Sequence, residues 1–299
     1  MIMKITLTGS LGHVGLPLTK QLAASGHDVT VISSNENRKE QIEQLGARAA
    51  IGLIQDESFL ADSFAGADAV YLMLALSSSF DKNVDVMDLG RQQAAVYANA
   101  VRRSGVKRVI NLSSIGANLG KEAGTLYVYN IIEGILSNLE GVGITFVRPT
   151  SMYYNLFGFL NTIKTQGVIA TNYGNNITQS WVAPADIADV VAEELMTPLT
   201  GTKVRYVASD ELTGQETAQI LGKAIGMPDL TWVEISDEQR LEALEKAGIN
   251  KAIAAGLVQM SANQRTHTFY EDYKRHHPKL GKIKMADFAN DFAKVYNKR

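Results

Sequence analysis

Through the first half of the chain, short apolar runs alternate with stretches whose apolar residues recur every three or four positions. That alternation predicts a parallel sheet built from βαβ units. Residues 3–8 (MKITLT) predict a first strand. Val14, Leu18 and Leu22 then share one helix face, and Gly26 is placed to close that helix. Asp28–Ser33 (DVTVIS) predicts the second strand, a short helix runs from Asn37 to Gly46, and residues 47–51 predict a third strand. A helix over 56–64 ends at Gly66. Residues 69–76 (AVYLMLAL) are apolar nearly throughout, as a central strand buried on both faces would be. A helix over about 88–104 leads to a fifth strand at 108–113. Another, over about 125–139, precedes a sixth strand at 144–148, closed by Pro149.

The rhythm breaks after Pro149. Residues 151–159 (SMYYNLFGF) are aromatic and irregular, and 172–176 (NYGNN) are turn-like. Pro184 and Asp186 open a helix reaching Met196, and residues 203–208 predict one more strand. From Thr213 the chain reads as mostly helical, with Ser236 and Gln239 spaced as a capping box and a last amphipathic helix over Met285–Tyr296. The expected fold is α/β, a doubly wound parallel sheet with a smaller, mainly helical C-terminal domain. Residues 1–150, joined by about 181–209, are expected to form the sheet domain. Residues 151–180 and 210–299 are expected to form the smaller one, which faces a substrate or partner.

The first strand-to-helix crossing carries Thr8-Gly9-Ser10-Leu11-Gly12-His13-Val14-Gly15, with glycines spaced as GxxGxxG. Gly9 suits the tight turn, Gly12 lets a pyrophosphate approach the backbone, and Gly15 lets helix and strand pack closely. The helix N-terminus then offers N–H groups to the phosphates. This is the context in which the motif binds a dinucleotide, and the first domain is read as a nucleotide-binding sheet domain. At the end of the second strand, where an acidic residue would favour NAD, stand Ser33, Ser34 and Asn35, with Arg38 beyond. Hydroxyls, an amide and a guanidinium suit a 2′-phosphate, so NADP(H) is favoured. Glu36 keeps NAD(H) open.

Charge and composition narrow the function. The 29 Lys and Arg balance 31 Asp and Glu, for a net charge of -2, with no basic stripe of the kind that nucleic acid selects. The absence of cysteine excludes disulfides, thiolate metal sites and a cysteine nucleophile. No apolar run approaches the roughly 20 residues of a membrane span, and no leader pattern precedes the first strand. The expectation is a soluble cytoplasmic protein that binds neither membrane nor nucleic acid directly. His13, His27, His267, His276 and His277 lack metal-ligand spacing, and no GxSxG elbow appears. Arg265, Lys274, Arg275 and Lys279 read as a solvated basic face.

TGSLGHVG at 8–15, LSSIGA at 112–117, VRP at 147–149 followed by Asn155, VAPADIA at 182–188 and LTGQETAQILGKAIG at 212–226 occur in order along the chain. Together they resemble the NmrA-like branch of the atypical short-chain dehydrogenases. The resemblance implies a Rossmann domain with a small C-terminal domain, and a cleft between them for a nicotinamide nucleotide, usually NADP(H). It implies that Gly9, Ser10, Gly12, His13 and Val14, with Thr8 before them, form the pyrophosphate loop. Ser33, Ser34, Asn35 and Arg38 would surround the adenosine 2′-position. Leu74, Ala75 and Leu76 would pass under the ribose and diphosphate, Ser113 would end its strand near the nicotinamide, and residues 150–155 would border the substrate.

The sequence departs from the family at three points. Ser34 stands where many members carry Arg, and Gly52 is followed by Leu53 rather than Asp. Aligning Glu133 and Leu136 with the family's E-x-x-L puts Thr125 at the Tyr, and Tyr129 at the Lys, of the usual Tyr-x-x-x-Lys pair. That pair ordinarily passes the proton. Tyr127, Tyr129, Tyr153 and Tyr154 are the candidates to meet a substrate, and the run Met152, Tyr153, Tyr154, Phe157, Phe159 reads equally as cleft wall or as domain core. Two functions fit. One is an NADPH-dependent reductase of a quinone-like or other conjugated carbonyl. The other is an NADP(H)-sensing regulatory protein, weakly active or inactive, that acts through a protein partner. A sugar-nucleotide epimerase would need the missing pair.

Overall fold

The computed structural model describes residues 2–75 and 85–298. Its elements run β1 (Lys4–Leu7), α1 (Gly15–Ala24), β2 (Asp28–Ser33), α2 (Lys39–Gln44), β3 (Arg48–Ile51), α3 (Glu57–Phe64), β4 (Ala69–Met73), α4 (Val86–Ser104), β5 (Arg108–Leu112), α5 (Tyr127–Leu136) and β6 (Gly143–Pro149). Then follow β7 (Ser151–Met152), α6 (Leu160–Gln166), β8 (Val168–Thr171), β9 (Gln179–Val182), α7 (Pro184–Met196), β10 (Thr202–Val207), β11 (Asp210–Leu212), α8 (Gly214–Ile225), β12 (Thr231–Glu234), α9 (Asp237–Lys246), α10 (Lys251–Asn263), α11 (Glu271–His276) and α12 (Met285–Tyr296).

Seven strands form one sheet in the order β10-β6-β5-β4-β1-β2-β3. β1 pairs in parallel with β2 on one side (Lys4 opposite Asp28) and with β4 on the other (Ile5 opposite Ala69). The chain order reverses between β1 and β4. Outside the carboxyl ends of the strands there, open α/β sheets bind their ligands. The predicted strand over 69–76 is shorter, ending at Met73, and Leu76 lies outside the described residues.

The described residues form two compact units. The first comprises 1–117, 128–148 and 187–205; the second comprises 118–127, 149–186 and 206–299. In the first, helices α3, α4 and α5 bury Phe64, Tyr97, Val101, Ile132 and Leu136 against Val70, Val109 and Ile144 of the sheet. The spacing of Tyr97 and Val101, four residues apart, keeps both on the buried face of α4. In the second, Tyr153, Trp181, Trp232, Phe288 and Phe292 are buried in one core. Two small sheets accompany its helices, β11-β9-β7 and the parallel pair β12-β8. These strands of two to four residues are too short to show a period, and only their long-range partners define them.

Asp186 clamps the end of the second unit. Its carboxylate accepts hydrogen bonds from Ser209 Oγ (2.6 Å) and from the backbone N–H groups of Lys282 (3.2 Å) and Ile283 (3.1 Å). A Cβ on Gly281 would meet it at 2.3 Å. Asp186→Ala leaves three buried or half-buried donors without their acceptor. It is expected to cost about 2–3 kcal/mol and to speed amide exchange at Lys282 and Ile283. Wild-type exchange at those amides would show that the clamp contributes nothing.

Candidate functional site

The glycine-rich turn is held on both sides by the sheet. Thr8 N–H donates to Tyr71 O (3.0 Å), and Ser10 N–H donates to Ile32 O (3.0 Å). Thr8 Oγ1 donates to Tyr71 O (3.1 Å) and accepts from Met73 N–H (3.1 Å). Its side chain is wholly buried, so it acts as a strut between β1 and β4 rather than as a ligand contact. Gly9 has φ +89°, and Ser10 follows with φ +53°, a left-handed value that a serine adopts only under constraint. The constraint is visible: Ser10 Oγ–H donates to Ser33 Oγ at 3.0 Å.

A diphosphate fits this turn. A Cβ on Gly12 would stand 3.3 Å from Gly9 O, and one on Gly15 only 2.2 Å from Ser10 O, so the turn closes because both lack side chains. Gly12 and His13 are exposed, whereas Val14 is buried and offers only its backbone. Val14 is also the N-cap of α1, where no side chain caps the helix and no acidic residue occupies the first turn. The positive end of the helix therefore meets no protein anion in its first turn, which suits a phosphate.

At the end of β2 the predicted residues separate into two roles. Ser33 is 3% exposed; its hydroxyl accepts from Ser10 Oγ and Asn35 N–H (3.2 Å) and lies 3.3 Å from Asn35 O, to which it donates. It braces the turn through bonds within the protein. Ser34, Asn35 and Arg38 are exposed. Asn35 Oδ1 accepts from Asn37 N–H (3.0 Å), and Arg38 Nη1 donates to Gln41 Oε1 (2.7 Å). Leu74 is buried beyond the end of β4, and Ala75 is half-buried.

Ser113, at the end of β5, belongs to a network that sequence reading missed. Its Oγ donates to Glu133 Oε1 at 2.5 Å, and Arg148 grips the same carboxylate through Nε (2.9 Å) and Nη2 (2.6 Å). The signal was present in Glu133 of the E-x-x-L pattern and in Arg148 of VRP. Fifteen positions apart in sequence, nothing marks them as partners.

The missing Tyr–Lys pair has a structural counterpart. Residues Lys121–Leu126 form a 3-10 turn, broken at Gly124 (φ 60°, ψ -128°), so α5 starts at Tyr127 rather than at 125. A Cβ on Gly124 would meet Gly256 O at 2.2 Å, and one on Gly256 would meet Thr125 Cγ2 at 2.9 Å. Thr125 Oγ1 lies 3.5 Å from Met260 Sδ. The space that a tyrosine at 125 would need is thus filled by α10. Tyr129 packs half-buried against the core of the first unit. Tyr127 is half-buried two residues away, a spacing that places the two on opposite faces of a helix.

The aromatic run resolves as core. Tyr153 is buried; its hydroxyl donates to Asp210 Oδ2 and Ile283 O (both 3.1 Å), and its ring stacks on Phe288 at 5.3 Å. Burial, then the Asp210 carboxylate, push that hydroxyl far above the ordinary tyrosine range. It stays neutral, bonded within the core of the second unit. Phe157 stacks on Phe292 (5.6 Å), and Phe159 packs against Trp232 (6.0 Å). Tyr154 is half-buried, with its pKa raised by burial. Of the basic C-terminal residues, Arg265 pairs with Asp237 (2.8 Å) and Arg275 with Glu271. Among the described residues no group of three or more His, Asp or Glu side chains is arranged to hold a metal ion. No described helix is long and apolar enough to cross a membrane.

Known proteins place this geometry. A family model described as NAD(P)H-binding matches residues 9–198. The (4-alkanoyl-5-oxo-2,5-dihydrofuran-3-yl)methyl phosphate reductase of Streptomyces griseus is 24% identical over 263 residues, covering 88% of this chain and 87% of that protein. Matches to two further relatives cover 35% and 34% of those proteins. The NADPH-dependent quinone oxidoreductase of Escherichia coli, solved with NADPH, has a TM-score of 0.78 at 19% identity, covering 96% of this chain and 99% of that one. NmrA, a negative transcriptional regulator solved with NADP, has a TM-score of 0.73 at 14% identity, covering 98% and 96%. The match over residues 9–198 takes in the glycine-rich turn and five strands of the seven-stranded sheet, and the chain belongs to the NAD(P)H-binding family, with the fold of the NmrA-like, atypical short-chain dehydrogenases.

Proposed function

We propose that this protein is a cytoplasmic, NADPH-dependent reductase that delivers hydride to a quinone-like or otherwise conjugated carbonyl acceptor. The turn from Gly9 to Gly15 holds the diphosphate, and Ser34, Asn35 and Arg38 receive the 2′-phosphate with a hydroxyl, an amide and a guanidinium. When bound, NADPH supplies the hydride. The observation that carries the acceptor class is the lack of a Tyr–Lys pair on α5, with Thr125, at the position aligned with the tyrosine, packed against Gly256 and Met260. α5 holds no Tyr–Lys pair to deliver a proton to the acceptor oxygen, so water supplies it. The product must then be stable as its anion, which a hydroquinone or an enol is and a simple alkoxide is not. The reductase from Streptomyces griseus and the quinone oxidoreductase from Escherichia coli support this reading.

The same missing pair also suits a second function, an NADP(H) sensor that acts on a protein partner, as the likeness to NmrA suggests. One experiment separates the two. The protein is titrated with NADPH and with NADH, then a panel of quinones is added while the nicotinamide absorbance is followed. Tighter binding of NADPH and acceptor-dependent oxidation are expected. Tight binding without turnover on any acceptor selects the sensor, and failure to bind either nucleotide sinks both.

A further inference from the structure

Helices cover both faces of a doubly wound sheet, so its strands are ordinarily apolar on both. β1 and β2 keep that rule on one face only, where Ile5, Leu7, Val29 and Val31 are buried. Side chains alternate along a strand, so Lys4 and Thr6 share the other face. Lys4 pairs with Asp28 and Thr6 with Thr30, which sets those two beside them. Thr30 is in turn opposite Arg48 of β3, the last strand of the sheet. Arg48 Nη2 reaches back to Asp28 Oδ1 (2.8 Å) and Thr30 Oγ1 (3.4 Å). Polar side chains of three neighbouring strands thus gather on one face. They stand at the amino ends of the strands, the end of the sheet opposite to the glycine-rich turn.

A cleft of about 300 Å³ lies over this face, and the last turn of α3 with residues 65–67 forms its other wall. Its charged lining has both signs, Lys4 and Arg48 against Asp28 and Asp62, and the four cancel. The signs are also separated in space. Arg48 stands on the β3 side and spends only Nη2 on its two bonds, so the rest of its fork can meet a carboxylate. Asp62 stands in the last turn of α3, where no basic residue balances the negative end of the helix, and that end favours a cation. Two strand spacings, roughly 10 Å, separate β1 from β3. Thr6 donates its hydrogen to Ser63 O (3.0 Å), so its oxygen faces the cleft as an acceptor.

We propose that this cleft is a second binding site, for a small zwitterion that carries one carboxylate and one ammonium group. The carboxylate lies on Arg48, and the ammonium lies on Asp62 at the end of α3. A ligand with a net charge would meet as much repulsion as attraction here, whereas a compound with both charges pairs each of them. The site is independent of the reductase reading, because it shares no residue with the glycine-rich turn.

Amide NMR of the full chain without nucleotide tests it, with glycine, 4-aminobutyrate and 6-aminohexanoate as probes of increasing charge separation. At least one is expected to shift the amides of Thr30, Arg48 and Gly66 with Kd below about 1 mM. Hexanoate and hexylamine, which carry one charge each, are expected to bind at least about tenfold more weakly than the best zwitterion. Arg48→Gln and Asp62→Asn change exposed side chains, and each is expected to weaken that zwitterion about tenfold while the spectrum elsewhere stays that of the wild type. Should Arg48→Gln disturb the edge strand, Asp62→Asn and the single-charge probes decide the matter. No shift with any zwitterion up to about 10 mM would overturn the proposal. So would hexanoate or hexylamine binding as tightly as the zwitterion, which would make this a site for one charge only. Shifts confined to the glycine-rich turn would assign the binding to the cofactor site, and wild-type affinity in both variants would remove the two residues from the site; either outcome is also against the proposal.

Discussion

Gly15→Ala is expected to weaken NADPH binding by about two orders of magnitude. The added Cβ would lie 2.2 Å from Ser10 O and 3.3 Å from Ser10 C, and both are backbone atoms. The carbonyl has little room to retreat, because Ser10 N–H is bonded to Ile32 O and its hydroxyl to Ser33. Either α1 slides away from β1 or the turn opens. Both responses displace the N–H groups that meet the phosphates, and hydrogen bonds of that kind weaken steeply with misalignment. Overpacking is expected to cost about 1–3 kcal/mol of stability as well. Gly26→Ala is the control. That glycine has φ +79°, and an added Cβ there meets nothing within 4 Å. It is expected to lower stability slightly and leave NADPH affinity at the wild-type value. Nucleotide titration of both variants decides the matter, and near-normal affinity in Gly15→Ala would refute the turn as the phosphate site.

Glu194→Ala is expected to lower the unfolding free energy by about 3–5 kcal/mol, the usual cost of stranding a buried charge. The Glu194 carboxylate is 1% exposed, and it accepts from Lys203 Nζ (2.6 Å) and Thr145 Oγ1 (3.1 Å), with Arg108 Nη2 at 3.5 Å. Arg108 is itself buried and also donates to the carbonyls of Gly143, Glu194 and Thr197. Burial pulls the Arg108 guanidinium below its ordinary range, while the neighbouring carboxylate opposes that shift. Without the carboxylate, the opposition is gone and Arg108 loses its anionic partner. The network joins β5, β6, α7 and β10 at one edge of the sheet. A urea titration of wild type and variant, followed by circular dichroism, measures the loss. A change below about 1 kcal/mol would place this ion pair among those worth little, as exposed pairs are.

Much of the frame was legible before any coordinates. The second strand, the helices over Pro184–Met196 and Met285–Tyr296, and the Ser236 capping box lie where the local pattern puts them. These are strongly periodic or sharply capped segments whose partners lie within a few residues. The glycine-rich turn was legible for the same reason, since its spacing and its strand-to-helix setting are both local. The aromatic run at 151–159 was not. Its composition is the same for a cleft wall and for a core, and only the contacts with Phe288, Phe292 and Trp232 separate the two. Ser33 shows the limit at one position: nothing local marks the serine at the end of the second strand as the partner of Ser10, to which it is bonded.

What the sequence determined by itself is the alternation of strands and helices, the glycine-rich turn and the want of a Tyr–Lys pair, because each is written in neighbouring residues and read through backbone geometry. What only the tertiary structure decided is which side chains are already spent. Thr8, Ser33 and Tyr153 are bonded inward, Thr125 lies against α10, and Ser113 gives its hydrogen to Glu133. A polar group's chemistry depends on the partners that burial forces it to find, and most of those partners come from 20 to more than 100 positions away in the chain.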